Sequence, residues 1–194
     1  MKTVFKFLCA LTLTVAVALP VLPQNVRAQI YFSVRELLST QFRASQRVSF
    51  VRVRPTAEQR TRIEARLGHP LTRDEYIVYI AATGGHVDGY AVFDAERGQH
   101  ELIDFASFFD AQGHVTGVEV VQYREPYGDA VRTARFREQF RGRTAQSGFR
   151  PGHDIDIISG ATISSRSLCV GVQRTAVLID ELAVRTSLAP TASR

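Results

Sequence analysis

"YIVYIAATGGHVDGYAVFD", residues 76–94, decides the fold class. Two runs rich in β-branched and aromatic residues, 76–82 and 87–94, flank Gly84-Gly85. A glycine pair supplies the positive φ values that a tight hairpin turn demands, so the stretch predicts two antiparallel strands. Downstream the pattern repeats: "HELIDFASFFD" (100–110) and "HVTGVEVVQYRE" (114–125) surround Ala111-Gln112-Gly113 and predict a second hairpin. Upstream, "PTAEQRTRIEARLG" (55–68) has Thr56 as N-cap, Gln59 at the capping-box position and Gly68 as the stop, which together predict a helix. "FSVRELLSTQFRA" (32–44) reads as a short helix leading into "RVSFVRV" (47–53), a half-buried strand or extended arm.

Beyond the loop "EPYGD" (125–129), "AVRTARFREQFRG" (130–142) predicts a helix ending at Gly142, and "IDII" (155–158) a short strand. "SSRSLCVGVQRTAVLIDELAV" (164–184) predicts a long helix with Leu168, Val172, Ala176, Ile179 and Ala183 on one face. There is no repeat and no dividing linker. The sum is an α+β single domain, a largely antiparallel sheet of hairpins with packed helices.

The ends of the chain read differently. Residues 1–28 combine Lys2 and Lys6, an apolar run from Phe7 to Leu19, the breakers Pro20 and Pro23, and the compact Val26-Arg27-Ala28. That order predicts a signal peptide cleaved after Ala28, hence a periplasmic or otherwise extracytoplasmic protein. A retained anchor is the alternative, against which stands an apolar run shorter than the roughly 20 residues that span a bilayer. Cleavage would remove Lys2, Lys6 and Arg27 and no acid, so the formal charge falls from +5 to +2. No lysine remains after residue 28, and nucleic-acid binding has no support. Cys169 is then the one cysteine, which excludes an internal disulfide, and its apolar helical setting predicts a buried small hydrophobe. Residues 184–194 are expected to form a disordered tail.

"DIDIISGATISS", residues 154–165, carries the chemistry. Thr162 follows Ser159, Gly160 and Ala161, three small side chains that leave its hydroxyl uncovered, at the junction of the predicted strand and the long helix. The first amides of a helix have no intrahelical partner, so this turn suits an anion, and Gly160 and Ala161 allow close approach. A plainer reading is that Thr162 or Ser164 caps the helix.

"DIISGATISS" resembles the flavinylation motif of the FMN-binding domain family, which includes covalently flavinylated subunits of sodium-pumping NADH:quinone reductases and Rnf-type complexes. In that motif an Asp stands three residues before the Ser of Ser-Gly-Ala-Thr, and the Thr carries FMN as a phosphoester; here these are Asp156, Ser159 and Thr162. "GGHVDGYAVFD", "LIDFASFFDAQGHVTGVEVVQYREPYG" and "FREQFRGRT" resemble the family's upstream elements in the same order. The resemblance thus implies an FMN-binding domain over 75–183, preceded by an N-terminal helical and extended segment at 29–74.

The resemblance implies a cofactor site of Thr162, Ser159, Gly160, Ala161, Asp156, Ser164 and Glu125, with FMN bound covalently through Thr162. Where the family often shows Glu-Thr-Pro-Gly, this chain has Glu125-Pro126-Tyr127-Gly128, and Tyr127 offers an aromatic surface. A Thr hydroxyl is a poor nucleophile, so attachment calls for a partner, an FAD:protein FMN transferase. The implied function is electron transfer by an exported flavoprotein, not an enzyme, serving a membrane or periplasmic redox partner. A redox- or flavin-sensing regulatory module and a non-covalent FMN-binding protein are the alternatives.

Other residue groups carry less. His69, His86, His100, His114 and His153 show no metal-ligand spacing. Arg132, Arg135, Arg137, Arg141 and Arg143 read as a solvated face, or as a docking face for an acidic redox partner or anionic headgroups. Phe105, Phe108 and Phe109 read as core.

Overall fold

The structure, a computed structural model, describes residues 29–184; the predicted signal segment and all but the first residue of the predicted tail lie outside the described residues. Six strands form one antiparallel sheet: β1 (Gln29–Ile30), β2 (Arg47–Val53), β3 (Tyr76–Thr83), β4 (His86–Arg97), β5 (Leu102–Asp110) and β6 (Val115–Tyr123), in the order β1-β6-β5-β4-β3-β2. The β3–β4 hairpin closes on Gly84 (φ 58°) and Gly85 (φ 85°), with Thr83 opposite His86. Positive φ at both central residues is the type I′ geometry whose twist matches paired strands. The 47–53 segment resolves as a full strand on β3, and β4 runs past residue 94 to Arg97.

Helices pack on both faces of this sheet. α1 (Val34–Gln41) lays Leu37 and Leu38 over Ala91, Ala106 and Phe108. On the opposite face lie α2 (Ala57–Leu67), with its Thr56–Gln59 capping box and left-handed Gly68, and α4 (Thr162–Ile179), which continues as a π-helical turn over Asp180–Val184. Leu168, Val172, Ala176, Ile179 and Ala183 are all buried against β4 and β5 residues such as Tyr90, Val92 and Phe105. Phe105, Phe108 and Phe109 are core residues, each at most 1 % exposed. A buried ion network ties α4 to the sheet: Arg174 donates to Asp94 at 2.9 Å and pairs with Glu96, while Arg73 reaches Asp94 from outside.

Two expected elements differ. Residues 130–142 are not one helix but a 3-10 turn (Asp129–Arg132), a single turn α3 (Ala134–Arg137) and a second 3-10 turn (Glu138–Phe140). Thr133 breaks the run with extended backbone (ψ 140°), and the bends bury Val131, Phe136 and Phe140 in the main core. Tertiary burial outweighs local helix propensity here. The expected strand at 155–158 does not form either. Ile155 is buried and makes one isolated bridge to Pro151, while the backbone of Asp156 pairs with a side chain, described below.

The arginines of 132–143 are mostly engaged rather than solvated. Arg132 stacks on the Tyr31 ring, 3.3 Å from its centroid, Arg137 pairs with Glu119, and Arg141 pairs with Glu138. Arg143 donates to the carbonyls of Gln139, Gly148 and Asp154, which knits the 143–154 loop together. Arg135 is exposed.

Candidate functional site

The turn before α4 is built by three bonds. The Ala161 amide donates to Ile158 O at 3.0 Å, closing a four-residue turn with Gly160 in third place at φ 79°, the position and sign that favour glycine in a type II turn. Nothing lies within 4 Å of where a Gly160 Cβ would stand, so conformation and not crowding selects glycine. Ser165, fully buried, then clamps turn to helix: its hydroxyl accepts from the Ile158 amide at 3.2 Å and donates to Ala161 O at 2.8 Å.

α4 starts at Thr162 with Ala161 as N-cap, and no side chain caps it. Neither Thr162 nor Ser164 caps the helix, so the plainer reading of the motif does not hold. The first intrahelical bond is Ser165 N–H to Ala161 O, so the amides of Thr162, Ile163 and Ser164 precede it unpaired. Thr162 is half-buried, and among the described residues its hydroxyl has no hydrogen-bond partner. Three free amides, the positive end of an 18-residue helix and a free hydroxyl can receive a phosphate group.

A cleft of about 210 Å³ opens beside this turn, lined by Gln99, Glu125, Tyr127, Gly128 and residues 160–164. Five of the seven expected site residues, Glu125, Gly160, Ala161, Thr162 and Ser164, meet there. Ser159 is exposed on the turn but does not line the cleft. Asp156 faces the other way, into a larger cavity of about 370 Å³ shared with Ala130, Thr133, Arg135, Phe136, Gln139 and Ile158. The larger cavity is the more apolar, and the smaller one holds the free hydroxyl and amides.

Within the cleft Ser164 is 3 % exposed, and its hydroxyl is 2.7 Å from that of Tyr123, which donates onward to Tyr127 O at 2.6 Å. Ser164 therefore positions the 125–128 loop through Tyr123. Burial pushes the Tyr123 phenol up from its ordinary value, so it remains a donor at neutral pH. Gly128 completes the loop at φ 94°, where a Cβ would stand 2.5 Å from the Tyr123 hydroxyl and 2.7 Å from that of Ser164. Tyr127 is left 80 % exposed, its ring at the cleft mouth.

Glu125 is 9 % exposed, and its Oε1 accepts the amides of His100 (2.5 Å) and Glu101 (3.1 Å), holding the β4–β5 turn as one wall of the cleft. Cys169 lies away from the cleft lining at 1 % exposure, and burial pushes its thiol up to about 12. Among the described residues no three His, Cys, Asp or Glu gather as a metal site. No helix among them is long and apolar enough to cross a membrane.

Sequence reasoning missed Tyr123, Ser165, Gln99 and Gln139. Only Ser165 carried a signal, since a Ser four residues beyond the turn's last residue can bond back to that carbonyl.

A solved structure described as the crystal structure of Shewanella oneidensis NqrC is similar, with 15 % sequence identity, a TM-score of 0.47, and coverage of 70 % of this chain and 80 % of that one. No curated protein matches. Residues 98–177, which run from the β4–β5 turn through the cleft loop and the Thr162 turn into α4, match the family described as FMN-binding domain.

Proposed function

We propose that this protein is an exported flavoprotein that carries FMN covalently on Thr162 and passes electrons between redox partners outside the cytoplasm. The observation that supports it most directly is the uncapped N-terminus of α4, whose first residue is a Thr with a free hydroxyl, inside the stretch that matches the FMN-binding domain family. The phosphate would be held by the Thr162, Ile163 and Ser164 amides, and the cleft walls of Glu125 and Tyr127 would flank the ring. Bound FMN supplies a centre that takes up and releases electrons singly or in pairs. The chain's own part is to fix that centre and to set its electrostatic surroundings.

The attachment calls for a second protein. No base within the described residues hydrogen-bonds the Thr162 hydroxyl, which is a weak nucleophile on its own. An FAD:protein FMN transferase would supply that base. The Thr162 oxygen bonds to the FMN-side phosphorus of FAD, the P–O–P anhydride breaks, AMP leaves with the electron pair, and the hydroxyl proton passes to the transferase's base. A covalent link also retains the cofactor in a compartment where a dissociated flavin is not readily replaced.

The test is expression in an exporting host with and without such a transferase. With it, a flavin-fluorescent band should survive a denaturing gel, and without it the band should be absent. Flavin that binds only reversibly under both conditions would replace the covalent carrier with a non-covalent FMN-binding protein.

A further inference from the structure

Between Ile155 and Ala161, both buried in the main core, the chain runs over the surface. Asp156, Ile157, Ser159 and Gly160 are exposed, and the larger cavity separates Asp156, Ile157 and Ile158 from Ala130 and Phe136. Yet the segment has a defined position, because side chains from two other elements grip its backbone. At one end the Gln139 amide group makes a two-point bond to Asp156: the Asp156 N–H donates to Oε1 at 2.7 Å, and Nε2 donates to Asp156 O at 3.3 Å. This copies one rung of a β-ladder with a side chain in place of a strand. At the other end Ser165 holds Ile158 and Ala161. All the gripping bonds go to the backbone, which leaves the Asp156 carboxylate and the Thr162 hydroxyl without a partner among the described residues.

Resting on the reading that a separate transferase modifies Thr162, we infer that Gln139 is a positioning residue for that modification. It holds residues 156–161 as a preformed arc with Asp156, Ile157, Ser159 and Gly160 exposed, so that the transferase meets an ordered peptide and does not have to order it. Ordering a loose segment is charged against binding, so loss of the grip should appear in KM and not in kcat. The two bonds differ in length, and the shorter, accepted by Oε1, should matter more.

The experiment follows transfer of FMN from FAD to the full-length mature protein by the transferase, with amide exchange of the unmodified protein measured alongside. Gln139→Ala should raise KM for the protein acceptor roughly tenfold with kcat within about twofold, the scale of losing two modest hydrogen bonds. The Asp156 amide should exchange faster while β5 amides keep their protection. Gln139→Glu keeps an acceptor for the Asp156 amide and loses only the donor, so it should recover most of the KM. If the alanine variant fails to fold, seen as lost β5 protection, Gln139→Glu must by itself raise KM about two- to threefold. Unchanged KM in a folded variant overturns the positioning role alone. Wild-type protein left unmodified by an active transferase overturns the reading of Thr162 itself, whereas unchanged Asp156 exchange in Gln139→Ala overturns the grip independently of any flavin.

Discussion

Four hydroxyls in the first turns of α4 have separate fates. Ser164 is spent on Tyr123, Ser165 on the turn and Ser167 on the carbonyls of Arg97 and Ile163, while Thr162 keeps a free oxygen. Sequence alone could single out Thr162 from its small neighbours, but it could not distinguish Ser164 as a positioning group, because its partner Tyr123 is 41 residues away. Glu125 is the residue whose chemistry now carries a sharper expectation. Its Oε1 accepts both backbone amides, and a glutamine carbonyl can do the same, so Glu125→Gln should keep the β4–β5 turn and the level of bound flavin. It removes a negative charge from the cleft wall and should raise the flavin's reduction potential, since reduced flavin is the more anionic form. A redox titration checks this, and an unchanged midpoint would place the carboxylate outside the ring's electrostatic reach.

At the scale of elements, α4 has two duties: its N-terminus presents Thr162 and its middle is bound to the sheet. Arg174 is 5 % exposed and sits between Asp94 and Glu96, themselves buried or nearly so. Truncation to alanine would leave two carboxylates in low dielectric with Arg73 their one remaining ion-pair partner among the described residues, so Arg174→Ala should cost about 3–5 kcal/mol of unfolding free energy. Denaturant unfolding measures it, and a loss below about 1 kcal/mol would mean water already screens the network. The hairpins and both long helices were legible because their signals are local: alternation, Gly84-Gly85, the Thr56–Gln59 box, and the 3.6-residue spacing along α4. The breaks at 130–142 and the missing strand at 155–158 were not, because burial of Phe136 and Phe140 and the reach of Gln139 to Asp156 are tertiary facts with no local pattern. The same limit applied to the cleft. The motif marked the Thr162 turn, yet the turn's pairing with the 125–128 loop depends on how β6 and α4 pack.

At the scale of the molecule, the family match begins at residue 98, but the core does not. β3 and β4 supply Val78, Ile80, Tyr90 and Val92 to the same cluster as Phe105 and Leu168, and β5 takes its whole ladder on one side from β4. A fragment of residues 98–177 should therefore show a collapsed proton spectrum, while residues 29–184 should show a dispersed one and a single cooperative unfolding step. A cooperatively folded 98–177 fragment would contradict this dependence.

The proposed attachment rests on one oxygen, the Thr162 hydroxyl at the uncapped start of α4. Its most direct test is the intact mass, with peptide mapping, of protein exported alongside an FAD:protein FMN transferase. Wild type should gain the mass of FMN less one water over protein exported without the transferase, with the adduct on the peptide containing Thr162. Thr162→Val keeps the shape and removes the oxygen, so it should fold and carry no adduct. Covalent FMN on Thr162→Val, or an adduct mapped to any other residue of the wild type, would contradict the assignment.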